Sequence, residues 1–250
     1  MTPLALFNGI GRPQGETEVL EKATQVAGTT QGPAGVHPCQ GPHQRRLRRR
    51  LNNWLVYRTI RRAIRECGAE GPVLLAPCGY GWFFEKFKRD GIPIAGIDID
   101  PQTVAWARTA VSPAPPVLEG NVLEMPFKDG EFDFVVNNRF QLHFDADFRA
   151  KALKELARVA RRHVLVHYDT LSLRQLLRRW RGVRKPVRDV EHMQTWHKTQ
   201  RKERKLLFDR AQMAAEGAAA GLDVKKLYYV CFMFSDRTYC LYEKRSTACG

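Results

Sequence analysis

The chain has 250 residues, 44% of them hydrophobic, and its 41 lysines and arginines against 26 acids give a formal net charge of +15. That length suits one α/β domain with extensions, and the hydrophobic content excludes a wholly disordered chain. No apolar run approaches the roughly 20 residues of a membrane-spanning helix, and the opening residues lack the cationic lead of a secretory signal.

Residues 1–42 are rich in Gly, Pro, Thr and Gln and lack sustained periodicity, which predicts a flexible N-terminal tail. His37, Cys39 and His43 fall in or beside it, but their irregular spacing does not suit a metal, and no metal site is expected. From 43 to 67, Leu47, Leu51, Trp54, Ile60 and Ile64 recur at helical steps. Nine arginines and no acid lie between 42 and 65, so the expectation is a basic amphipathic helix closed by Gly68.

An alternation of strand and helix follows. PVLLAP at 72–77 reads as a buried strand, then a glycine loop leads to a helix over 82–90. IPIAGIDI at 92–99 is a second strand, and proline opens a helix over 101–109. PVLEG and FDFVVN (132–137) supply the third and fourth strands. A helix over 148–160, with Leu153, Leu156, Ala157 and Ala160 as its apolar positions, leads to a fifth strand, HVLVHY at 163–168. Strands separated by helices in this way indicate βαβ units: an α/β fold with a mostly parallel sheet and helices on both faces. Between 170 and 206 come twelve lysines and arginines against three acids. A helix is predicted from near 203 to 220, ended by Gly221. Two β-rich runs around a turn at 235–237 then form a hairpin, which sets the last strand antiparallel to its predecessor.

Outside the two basic stretches the charges nearly balance, so the basicity belongs to those segments. Such blocks meet polyanions, RNA, anionic lipid or an acidic substrate, or simply keep a helix face solvated. The six cysteines form no CxxC pair, which fits free thiols in a reducing cytoplasm.

The chemistry concentrates in VLLAPCGYGWF at 73–83 and GIDID at 96–100. A strand entering glycines and then a helix exposes backbone amides to a ligand. Asp98 ends the next strand, 21 residues after Pro77, a spacing that suits a carboxylate accepting both hydroxyls of a ribose. A glycine turn that merely ends a strand is the alternative.

With these two motifs, EGNVLEMPFKDGEFDFVVNNRFQLHF and FRAKALKELARVARRHVLVHY follow in order. The sequence from about 45 to 244 thereby resembles the class I S-adenosylmethionine-dependent methyltransferases, of the bacterial methyltransferase-domain type. The resemblance implies a Rossmann-like sheet of seven strands with an antiparallel last strand, in a domain spanning 43–250. The stretch at about 170–206 would be a basic substrate-recognition insert. It also implies S-adenosyl-L-methionine as cofactor, seated by Ala76, Pro77, Gly79 and Gly81 under the methionine and ribose. Asp98 would hold the ribose hydroxyls and Ile99 the adenine face. Asn121 and the Val122 amide would meet the adenine edge, and the Asn137 carbonyl the methionine ammonium. The chain departs from the family at Leu75, where an acid is usual, at Pro77 for glycine, and at Asn121 for Asp.

Methyl transfer to a hydroxyl needs a base within reach, and His143, six residues beyond Asn137, stands where one would sit; a structural histidine is the alternative. Tyr57 and Arg58 with Trp54, Arg139 after the fourth strand and Arg178 in the second basic stretch are the candidate substrate contacts. For Tyr57, Arg58 and Trp54, ordinary helix packing competes with a lid. NNRF at 137–140 is not the Asn/Asp-Pro-Pro-aromatic motif of exocyclic-amine methylation, and Cys78 lies in the cofactor loop rather than at a thiolate site. The sequence therefore points to an enzyme acting on a small or lipid-linked anionic acceptor, with peripheral membrane contact if the acceptor is a lipid. A cofactor-binding relative without turnover and an RNA-binding methyltransferase stand as the alternatives.

Overall fold

The computed structural model describes residues 43–173, 177, 207–231 and 235–245; the tail at 1–42, most of the basic insert, and Arg178 lie outside them. The elements run α1 (His43–Glu66), β1 (Val73–Leu75), α2 (Phe84–Arg89), β2 (Ile94–Asp98), α3 (Pro101–Thr109), β3 (Val117–Glu119) and β4 (Phe132–Asn137). A 3₁₀ turn (Gln141–His143), α4 (Ala146–Val159), β5 (Ala160–Asp169), α5 (Arg210–Ala219), β6 (Leu222–Tyr229) and β7 (Arg237–Lys244) complete the order.

The strands form one seven-stranded sheet in the order β3-β2-β1-β4-β5-β7-β6. β1 to β5 pair in parallel, as their apolar runs and intervening helices require. β7 lies antiparallel to both β5 and β6, inserted between them. The order reverses at β1 and β4, and in open α/β sheets the crevice at such a reversal, beyond the carboxyl ends of the strands, is where ligands bind.

Local signals start the helices. Asp100 caps α3, its carboxylate accepting from the Gln102 and Thr103 amides, with Pro101 as the first helical residue. Asp145 caps α4 by accepting from the Phe148 amide, so this helix begins two residues before the expected 148. α5 begins at Arg210, not near 203: Asp209 and Gln212 form a reciprocal capping box, and 207–209 are not helical.

α1 buries Val56, Tyr57, Ile60, Ala63 and Ile64 in the cluster that includes Leu75, Phe134, Val136, Leu165, Tyr239 and Leu241. Its apolar stripe is shorter than the sequence suggests, because Leu51 and Trp54 are 58% and 47% exposed. On α4, Leu153, Leu156 and Ala157 are buried as expected, and so is Arg149. Arg149 gives two hydrogen bonds to Glu216 Oε1 on α5, at 2.6 and 2.9 Å, and a third to the Phe144 carbonyl. Tyr168 donates to Glu216 Oε2 (3.2 Å), the Tyr168 and Tyr242 hydroxyls meet at 3.0 Å, and Tyr242 donates to the Met213 carbonyl. A buried ion pair is thus embedded in a tyrosine network between α4, α5, β5 and β7. Among the described residues no helix is long and apolar enough to cross a membrane.

Candidate functional site

The tips of β1, β2 and β4 and the loop after β1 form the site. Backbone hydrogen bonds hold that loop over the sheet: Ala76 N donates to the Val136 carbonyl at 3.0 Å and Cys78 N to the Ile97 carbonyl at 2.8 Å. Ala76, directly after β1, is thereby held to β4, and Cys78, three residues past the strand's end, to β2. The loop then turns at Gly79 and Gly81, with φ of 55° and 68°, in the left-handed region that favours glycine.

The two glycines do different work. A Cβ on Gly79 would meet nothing within 4 Å, so this residue opens onto free space. A Cβ on Gly81 would lie 2.8 Å from the Phe84 ring and 2.9 Å from the Ala110 Cβ; that glycine is buried and allows α2 and α3 to close on the loop. Gly81→Ala is therefore expected to cost stability through both strain and clash, about 2 kcal/mol or more, and Gly79→Ala about 1 kcal/mol from backbone strain alone. Urea denaturation of the two variants measures the difference.

Asp98 meets the loop directly. Its Oδ2 accepts from the Gly79 amide at 2.9 Å, and its Oδ1 accepts from the Asp100 amide at 3.3 Å. Burial pushes its pKa above the ordinary aspartate value, with these backbone amides opposing the shift. The glycine loop and the acid at the end of β2, 19 residues apart, thus converge at one point above the strand tips. Ile99 follows, half-buried.

Asn121 lies in the turn after β3, where its Oδ1 accepts from the Leu123 amide at 2.9 Å and its carbonyl from the Glu124 amide. Part of its side-chain acceptor capacity is thus used within the turn; Val122 beside it is buried. Asn137 ends β4 and is fully buried. Its Nδ2 donates to the Ala76 carbonyl at 2.7 Å, which fixes the orientation of the amide. Its Oδ1 has no partner among the described residues. Ala76, Pro77, Gly79, Asp98 and Asn137 therefore stand together, and Asn121 and Val122 stand one strand further out, after β3. An open glycine, a carboxylate and an orphaned buried acceptor fit a ligand that combines a nucleoside with an ammonium group.

Leu75, where the sequence departs from the acidic pattern, is 2% exposed and belongs to the apolar core. Cys78 is buried too, and burial pushes its thiol up to about 12, so it is a protonated packing group at neutral pH.

The candidate acceptor residues are more scattered. Tyr57 is buried, in line with the packing alternative: its ring packs on Phe83 and Phe87, and its hydroxyl donates to the Lys86 carbonyl and to Asp90. Arg58 is exposed and stacks on Trp54, 5.4 Å from the ring centroid. Arg139 is exposed two residues beyond Asn137, with φ of 58°, and His143 stands on the 3₁₀ turn that follows. Much of the His143 surface is open, yet the surrounding protein, and then the Arg139 guanidinium, hold its pKa below the ordinary histidine value.

Sequence reading missed Tyr239, whose hydroxyl donates to Asn138 Oδ1 at 2.6 Å and so ties the tip of β7 to that of β4 across β5. No local signal marks such a pair, since it depends on the insertion of β7 beside β5.

Comparisons with known proteins agree with this fold. Residues 74–167 match the family model described as a methyltransferase domain. No curated protein sequence matches the chain. The fold is similar to magnesium protoporphyrin IX methyltransferase from Synechocystis PCC 6803, solved with bound S-adenosylhomocysteine: TM-score 0.60 and 13% identity, over 86% of this chain and 90% of that one. A SAM-dependent methyltransferase from Methanosarcina mazei gives TM-score 0.53 and 16% identity, over 70% and 93% of the two chains. Human N-acetylserotonin methyltransferase in complex with SAM gives 0.56 and 14%, over 76% and 52%.

Proposed function

We propose that this chain is a class I S-adenosylmethionine-dependent methyltransferase that methylates a small or lipid-linked acceptor carrying negative charge. Its cofactor's nucleoside would lie over the Gly79 loop against Asp98. The observation that carries this reading is the 2.9 Å hydrogen bond between the Gly79 amide and the Asp98 carboxylate, which brings the loop and the acid to one point above the sheet.

The cofactor supplies a methyl group already activated on a sulfonium, which an acceptor atom displaces in line. The protein's part is alignment and the exclusion of water. In this reading Asp98 accepts the ribose hydroxyls, Ile99 packs on the adenine, and Asn121 with the Val122 amide meets the adenine edge. Ala76, Pro77 and Gly79 form the floor under the ribose and methionine, with Gly81 holding the loop against α2 and α3. Asn137, by its backbone carbonyl or its unpartnered Oδ1, takes the ammonium. The two basic stretches and Arg139 support an anionic acceptor, with Arg58 at the exposed face of α1 as a further contact. The Synechocystis and human structures, named for a porphyrin and for N-acetylserotonin, support a small-molecule acceptor.

Calorimetric titration with S-adenosylhomocysteine tests the reading. Saturable binding is expected, and no heat at millimolar ligand would overturn it. For a hydroxyl acceptor, His143 is the proposed base. Its lowered pKa keeps the imidazole neutral, and so able to take a proton, to a more acid pH than an ordinary histidine. His143→Asn is expected to slow transfer by about a hundredfold and to remove the acid limb of the pH–rate profile. An unchanged profile would assign His143 to structure.

A further inference from the structure

Two arginines stand beyond the same edge of the sheet. Asn137 on β4 is in register with Val166 on β5, and Val166 with Cys240 on β7. Arg139 lies two residues past that level along β4. Because β7 runs in the opposite direction, Arg237, three residues before Cys240, lies past it on the same side. Only β5 separates the two strands, whose tips are about two strand spacings, or 10 Å, apart, a distance that arginine side chains beyond those tips span toward one anion. Between them Tyr239 holds Asn138, and Asn137 holds Ala76, so this edge is continuous with the loop of the site.

Among the described residues, neither guanidinium makes a hydrogen bond or an ion pair, although Arg237 is half-buried. Burial first, and then the Arg139 guanidinium, make the charge on Arg237 harder to hold, with Asp169 and Asp236 opposing; both guanidiniums also act on the Tyr239 hydroxyl. Like charges brought together and partly desolvated are unfavourable without a counter-charge. Asp169 and Asp236 offset this only in part, and among the described residues neither makes an ion pair with Arg139 or Arg237. Asp169 faces Arg237 in register and lies 3.6 Å from His167 Nε2, while Asp236 Oδ1 accepts from the Ser172 hydroxyl. Arg139 is also the only non-glycine residue with positive φ among those described, as befits a side chain held at a functional edge.

We propose that Arg139 and Arg237 form the anion subsite of the acceptor pocket, receiving a carboxylate or phosphate group of the acceptor. The assignment deepens the anionic-acceptor reading above and rests on it. Guanidiniums suit both groups, because their planar donors give paired hydrogen bonds to two oxygens of one anion.

The test is calorimetry on the full chain with inorganic phosphate and with succinate, each with and without S-adenosylhomocysteine. The expected result is saturable binding of at least one anion, weakened about tenfold or more in Arg139→Gln and in Arg237→Gln. Arg237→Lys should recover part of the loss. Arg245→Gln, which touches only the Asp223 pair at the far end of β7, should bind as wild type. Succinate alone would identify a carboxylate acceptor, and phosphate alone a phosphorylated one. Anion binding that is absent, or that both glutamine variants leave unchanged, overturns the subsite. Loss of S-adenosylhomocysteine binding with anion binding intact would instead unseat the cofactor reading.

Discussion

Asp98→Ala is expected to weaken S-adenosylhomocysteine binding by about a hundredfold or more. Two hydrogen bonds from ribose hydroxyls to a carboxylate are worth roughly 1.5–3 kcal/mol each, and about 2.7 kcal/mol already corresponds to a hundredfold. The same substitution releases the Gly79 amide, so the loop also loses its anchor. Calorimetry reads the affinity, and an unchanged value would remove Asp98 from the cofactor seat. Stability should move the other way in Asp98→Asn. Burial raises the pKa of this carboxyl above 3.8. A raised carboxyl favours the fold fully below 3.8 and loses that contribution as pH climbs through the folded-state pKa. At neutral pH the ionised group is therefore a cost to the cofactor-free protein. Asp98→Asn should raise the thermal midpoint of the free protein while lowering its affinity. A carboxylate kept despite its effect on stability is what a binding site requires.

Glu216→Ala should destabilise the fold by about 3 kcal/mol or more. Glu216 is the counter-charge of Arg149, which is 7% exposed and also lies 5.0 Å from the Phe208 ring centroid. Removing the acid strands a buried guanidinium and deprives Tyr168 of an acceptor. Glu216→Gln keeps an acceptor for both and should cost less. The paired change Arg149→Met with Glu216→Leu should recover most of the loss, since a well-packed apolar pair often matches a buried ion pair. Urea denaturation of the three variants separates these outcomes; a Glu216→Ala chain as stable as wild type would mean that the ion pair contributes nothing.

Much of the fold was legible because its signals are local. Pro101 announced α3 to the residue, and FDFVVN marked β4 with its observed limits. The glycine loop and Asp98 were readable together because strand, turn and strand follow one another within 30 residues. The errors arose where a pattern needs a partner to acquire meaning. Leu51 and Trp54 continue the stripe of α1 yet stay exposed, because helical periodicity does not say how far the opposing surface extends. For Tyr57, lid and packing stay open in the sequence until Asp90 and Phe87 are seen beside it. The start of α5 was readable in principle, as Asp209 and Gln212 have capping-box spacing, but the preceding basic run masked it. Arg149–Glu216, Tyr168–Tyr242 and Asn138–Tyr239 join residues 67, 74 and 101 positions apart and had no local trace.

The insertion of β7 between β5 and β6 has a consequence for synthesis. β6 leaves the ribosome first, but its partner is made afterwards, so a nascent chain holding residues up to 229 carries two strands whose open edges await the same missing segment. The seam closes only when residues 237–244 emerge, and a ribosome stalled before that point would hold an aggregation-prone intermediate, however well the first five strands had already paired.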